Sequence, residues 1–134
     1  MISAFVLMCM FSWLCLQFDH PDEIIVNECI QTDWLEYDLG EINVGAKAEC
    51  CLHLKNITTE EVKLEYLIPS CSCVSLTYDS DTIQSLKTMQ IHISLDTSKG
   101  LVGYVEQGII LGIQGKPNPI YFALKVNIIN PICD

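Results

Sequence analysis

With 134 residues, half of them apolar and only 18% charged, the chain is long enough for one domain around one hydrophobic core and too apolar for intrinsic disorder. Seven Lys and Arg stand against seventeen Asp and Glu, and the resulting charge of −10 repels nucleic-acid phosphates and anionic lipid. The basic residues are scattered singly, so nucleic acid is excluded as a partner.

The chain opens on an uncharged stretch, Met1 to Phe18, in which only Ser3, Ser12 and Gln17 are clearly polar. As a helix it would span roughly 27 Å, close to the thickness of bilayer hydrocarbon. It is expected to be a hydrophobic N-terminal helix serving as signal peptide or membrane anchor. The protein is then exported to the periplasm or cell surface and touches membrane only through residues 1–18. Cys15 is a candidate for lipidation, although the bulky Trp13 and Leu14 precede it. The cluster Asp19, His20, Pro21, Asp22 and Glu23 ends the leader, and residues 19–33 form an acidic connector containing the short apolar run Ile24 to Val26.

From Trp34 onward the apolar pattern has period two, the signature of strands with one buried face. Leu35, Tyr37 and Leu39 alternate with Trp34, Glu36 and Asp38. The same holds for Ala48, Cys50, Leu52 and Leu54, for Val62, Leu64, Tyr66 and Ile68, for Met89, Ile91, Ile93 and Leu95, and for Ile120 to Ile128. Val105 to Ile113 is apolar on both faces, as a central strand should be; its Gly108 and Gly112 mark a bulge or a close backbone approach. Turn signals separate the runs, at Gly40 and Gly45, 56–60, 79–81, 98–103 and 115–119. The pattern predicts an all-β antiparallel sandwich of about seven strands over residues 34–130. Its core should contain Leu39, Leu52, Leu64, Ile91, Ile93, Phe122, Leu124 and Val126.

The order D-L-G-E-I-N-V-G at 38–45, H-L-K-N at 53–56, P-S-C-S-C-V at 69–74 and G-L-V-G at 100–103 resembles the bacterial domain-of-unknown-function family 1573. The resemblance covers residues 34–128 and implies an exported Ig-like sandwich, related in shape to major-sperm-protein and ciliary Ig-like modules. It matches the family's Phe-Gly step to Leu39 and Gly40, its turn asparagine to Asn56, and its S-C-G-C-T signature to Ser70, Cys71, Ser72, Cys73 and Val74. Ser72 stands in place of that glycine, and Leu86–Lys87 stands where the family has Pro-Gly. The resemblance transfers no activity.

Cys71 and Cys73 are the candidate thiol pair. In a strand their Cβ atoms would lie roughly 6–7 Å apart, too far for a bridge, so a disulfide between them needs a turn. Buried thiols or a disulfide, a redox role, and metal binding remain open for the pair. A metal would need about two more ligands, and Cys51, His53 and His92 would serve only where strands converge. Of Cys50 and Cys51 one should face the core and the other the surface; Cys29 and Cys133 flank the domain. Asn56-Ile57-Thr58 fits a glycosylation sequon and reads better as chance. The acidic residues carry no calcium-loop spacing, and no G-x-S-x-G elbow is present. The sequence therefore points to a non-enzymatic binding or structural module of the cell envelope, without cofactor or metal, whose partner is another envelope protein. The alternative is a thiol-based redox or metal-handling protein using Cys71 and Cys73.

Overall fold

The computed structural model describes residues 23–99 and 102–130, with the side chain of Lys99 left aside. The expected leader helix and Cys15 lie outside the described residues. Within them the chain is built of strands: β1 (Ile24–Ile25), β2 (Ile30–Thr32), β3 (Glu36–Asn43), β4 (Lys47–Asn56), β5 (Val62–Pro69), β6 (Val74–Thr77), β7 (Thr82–Ile83), β8 (Thr88–Asp96), β9 (Gly103–Ile113) and β10 (Ile120–Ile129). One 3₁₀ turn, Thr97–Lys99, follows β8.

The strands form two five-stranded sheets, β1-β2-β4-β8-β6 and β3-β10-β9-β5-β7. The first stacks its core side chains in register, with Leu52 opposite Ile91, Cys50 opposite Ile93 and Leu54 opposite Met89. The second answers with Ile109, Leu111, Phe122, Leu124, Val126 and Ile128. Fully burying a side chain of this kind contributes roughly 1.5–3 kcal/mol, so these central strands hold the sandwich together. Trp34 sits at one edge of the core, its ring 6.0 Å from that of Phe122, and donates Nε1–H to the Cys51 carbonyl at 2.9 Å.

The sandwich expectation is met, and the predicted core residues are buried except Leu39, which is half-buried and packs against the core from an edge strand. Four details differ. The strands number ten among the described residues, because β1, β2 and β7 are too short to show period two. Both β1 and β2 fall in the stretch read as a connector, and they pair with each other and with β4. β3 runs parallel to β10, so the second sheet is not purely antiparallel. Finally, the alternation fails at two places. Trp34 is buried rather than outward. In β5 a register shift between Leu64 and Tyr66 leaves Glu65 and Tyr66 both outside, so Leu67 turns inward and Ile68 outward.

Candidate functional site

Cys71 and Cys73 form a disulfide, with Cα atoms 5.1 Å apart. The turn that this requires is present: β5 ends at Pro69, the Val74 N–H donates to the Cys71 carbonyl at 3.1 Å, and the chain swings from one sheet to the other. Ser72 has no left-handed backbone, so the missing glycine costs nothing there. Cys73 is only 1% exposed and belongs to the core, whereas Cys71 packs against the core from outside. The Cys73 carbonyl accepts from the Asp96 N–H at 2.8 Å, which places the bridge at the start of β6 beside the end of β8.

The other candidate ligands lie elsewhere. On the outer face of the first sheet, His53 meets Asp33 at 2.7 Å, and the Asp33 carboxylate also accepts the His53 backbone N–H. His92 lies opposite Cys51 in the ladder and reaches Glu49 at 3.2 Å. Cys51 is itself disulfide-bonded. β8 lies between β6 and the β4 residues Cys51 and His53, and His92 on β8 stands opposite Thr77, at the far end of β6 from the bridge, so the three do not converge with Cys71–Cys73. Among the described residues no group of three or more His, Cys, Asp or Glu is arranged to hold a metal. Cys50 faces the core, as alternation predicted, but Cys51, expected at the surface, is buried as well; burial together with the nearby Asp33 charge pushes the Cys50 thiol up to about 12. Cys29 is buried and free as well.

Asn56 is fully buried, so the sequon is a structural asparagine and not an acceptor in the folded chain. Its amide nitrogen donates to the carbonyls of Glu60 and Ile83, and its oxygen accepts from Thr58 N–H and Oγ1.

The feature that sequence reading missed lies on the outer face of the second sheet. Ile68 stands opposite Ile110, and Ile110 opposite Tyr121, so three large apolar side chains form a row across β5, β9 and β10. Their exposures are 53%, 36% and 52%, and Tyr66 beside them is 37% exposed. The glycines of β9 explain how the rings lie. A Cβ on Gly112 would fall 2.2 Å from the Tyr66 ring, and one on Gly108 2.3 Å from the Tyr121 ring. Each aromatic ring therefore lies over bare backbone of the central strand, where any larger side chain would collide with it. The face turns acidic towards β3: Glu36, Asp38 and Glu106 surround Lys125, which is already paired with Glu36 at 3.4 Å. The signal was present in the sequence as two glycines in an otherwise two-faced apolar strand. What hid it was the β5 bulge, which moves Tyr66 and Ile68 from the core to this surface.

A cleft of about 370 Å³ opens at the end of this row, between Leu35, Tyr121, Pro119 and the Glu28–Lys116 ion pair. The Lys116 ammonium holds the Glu28 carboxyl below its ordinary range.

Two stacked sheets with Greek-key-like crossovers define a β-sandwich of the Ig-like, PapD-like kind, and known structures bear out that class. A protein of unknown function from Porphyromonas gingivalis W83 superposes with a TM-score of 0.64 at 12% identity, over 74% of this chain and 46% of that one. A PapD-like domain of human CEP192 gives 0.59 at 14% identity, over 81% and 92%. A family 123 glycoside hydrolase from Clostridium perfringens gives 0.63 at 9% identity, over 73% of this chain but 23% of the enzyme. At these identities the likeness is one of fold, and the chain spans less than half of the Porphyromonas protein. No curated protein matches the chain. The chain belongs to the family described as protein of unknown function (DUF1573), which matches residues 30–128.

Proposed function

We propose that this domain is a non-enzymatic protein-recognition module of the cell envelope, exported through residues 1–18, and that it docks another envelope protein on the outer face of the β3-β10-β9-β5-β7 sheet. The carrying observation is the exposed row Ile68–Ile110–Tyr121 with Tyr66 beside it. Large apolar side chains grouped on one sheet face are uncommon on an isolated soluble surface and are typical of interface centres, where aromatic rings dominate the binding energy. The acidic margin at Glu36, Asp38 and Glu106 favours a partner with Lys or Arg around an apolar centre.

The alternative of thiol exchange at Cys71–Cys73 is disfavoured by the burial of Cys73, whose sulfur would have to leave as a thiolate inside the core. A photo-crosslinking residue placed at Tyr121 in the native host should give a discrete adduct. The same residue at Glu49, on the outer face of the other sheet, should not, and Ile110→Glu should abolish the Tyr121 adduct while the protein stays folded. Equal labelling from the two faces, or an adduct indifferent to Ile110→Glu, removes the basis for this reading.

A further inference from the structure

Every open sheet needs protection at its edges, because an edge strand presents unpaired N–H and C=O groups to any other strand. Of the edge strands here, β1 and β7 are two residues long. β3 is long but carries Glu36, Asp38 and Glu41, and Gly40 breaks its line with a left-handed backbone. β6 has none of these defences. Val74–Thr77 is uncharged, and among the described residues nothing pairs with its far edge.

The ladder shows which groups point outward. The Asp96 N–H donates to the Cys73 carbonyl, and Ser75 lies opposite Ser94 and Thr77 opposite His92. In an antiparallel pair bonded residues alternate, so the Cys73 carbonyl and the backbone groups of Ser75 and Thr77 turn to β8, while the Cys73 N–H donates to the Cys71 sulfur. The Val74 carbonyl, both groups of Leu76 and the Tyr78 N–H turn to the open side, while the Val74 N–H is held by Cys71.

We propose that two copies of this domain pair antiparallel through β6, joining their β1-β2-β4-β8-β6 sheets about a two-fold axis at Leu76. The pattern is self-complementary. Leu76 opposite Leu76 exchanges two hydrogen bonds, and each Tyr78 N–H meets the Val74 carbonyl of the other copy. Ser75 then stands opposite Thr77, hydroxyl beside hydroxyl, and the half-buried Leu76 side chains meet on the core side. Although each copy carries a charge of −10, the pairing sets no charged residues opposite one another, since Asp79 falls across from Cys73. The Cys71–Cys73 bridge and the Val74–Cys71 hydrogen bond fix the start of β6, so little ordering remains to be done on association. The edge is independent of the recognition face, which lies on the other sheet.

A contact of this length is small beside a standard interface of about 1,200–2,000 Å², so the dimer is weak and depends on concentration. Sedimentation equilibrium of the full chain in density-matched detergent should show the protein mass rising from 15.1 kDa towards twice that value as concentration increases. Leu76→Pro removes the outward N–H and a half-buried side chain but leaves the hydrogen bonds to β8 in place, so its melting temperature should fall while its circular dichroism stays that of the folded sandwich, and it should remain monomeric. In Ser75→Cys/Thr77→Cys, oxidation by diamide should link residue 75 of one copy to residue 77 of the other, because facing residues of a non-bonded pair lie about 4.5 Å apart at Cα. Glu49→Cys should give no such product. A chain that remains monomeric at millimolar concentration, a dimer that survives in folded Leu76→Pro, or failure of the 75–77 link overturns the proposal. Survival in Leu76→Pro would assign the association to another surface.

Discussion

Asn56 ties four segments together, and its replacement tests whether the end of the sandwich is held as described. Its backbone N–H donates to the Lys87 carbonyl, and the following Ile57 N–H to the Cys29 carbonyl. Its side chain donates to Glu60 and Ile83 and accepts two bonds from Thr58. Asn56→Ala deletes all the side-chain bonds. At about 1 kcal/mol net for each of the four, with a further 1–3 kcal/mol for the buried Ile83 carbonyl left unpaired, the loss is about 5–7 kcal/mol. Such a loss is a large part of the roughly 5–15 kcal/mol available to a domain. Asn56→Asp is the sharper variant, because it keeps the volume and the acceptor towards Thr58. It turns a carboxylate oxygen against two carbonyls at a fully buried position, so at neutral pH it should be no more stable than Asn56→Ala. Urea unfolding followed by far-UV circular dichroism measures both. If Asn56→Asp unfolds within 1 kcal/mol of the wild type, the amide donors do not hold this end and the argument is wrong.

Replacing Cys71 and Cys73 together by Ser should cost about 1.5–2 kcal/mol for the short loop no longer closed, and about 1–3 kcal/mol more for the hydroxyl placed in the core at residue 73. Thermal unfolding with and without reductant should show the wild type falling towards the variant. Leu86 has φ of 61° at the third position of the turn closed by the Lys87 N–H and the Gln84 carbonyl. Leu86→Gly should therefore raise stability by about 1 kcal/mol, and a lower melting temperature would show that its exposed side chain matters instead. With its thiol raised from 9.0 to about 12, Cys50 should resist iodoacetamide at pH 8 until the chain unfolds. Because the unfolded thiol ionises first, Cys50's contribution to stability is present below pH 9 and is lost as the pH rises from about 9 towards 12; mass spectrometry of native and unfolded labelling, with melting curves across that range, checks both points.

The long strands were legible because burial imposes period two on β4, β8 and β10, and seven of the eight predicted core residues are buried there and in β5. What could not be read was the bulge after Leu64, since a run of alternating residues does not reveal where one extra residue resets the faces. That single shift moves Tyr66 and Ile68 from supposed core into the exposed apolar row of the second sheet. Trp34 misled for a related reason: it lies before β3, where Thr32, Trp34 and the start of a new strand change sheets. The turn near Leu86 was legible only by its family counterpart; its central residues are Ser85 and Leu86, with Leu86 left-handed, one position earlier than the Leu86–Lys87 match. For the thiol pair, spacing alone gave the condition, a turn between the cysteines, but not whether the chain supplied it.

The parallel pairing of β3 with β10 joins Glu36 to Ala123, nearly the two ends of the domain. A strand made early thus has no neighbour in its own sheet until the last strand arrives between it and β9. During synthesis, the emerging chain cannot complete the second sheet, and β3 stays open whatever the rest has formed. Contacts of such separation make folding slow and leave it to the finished chain. The carboxylates along β3 then protect more than the mature edge: they keep this waiting strand from pairing with other nascent chains before residue 129 has emerged.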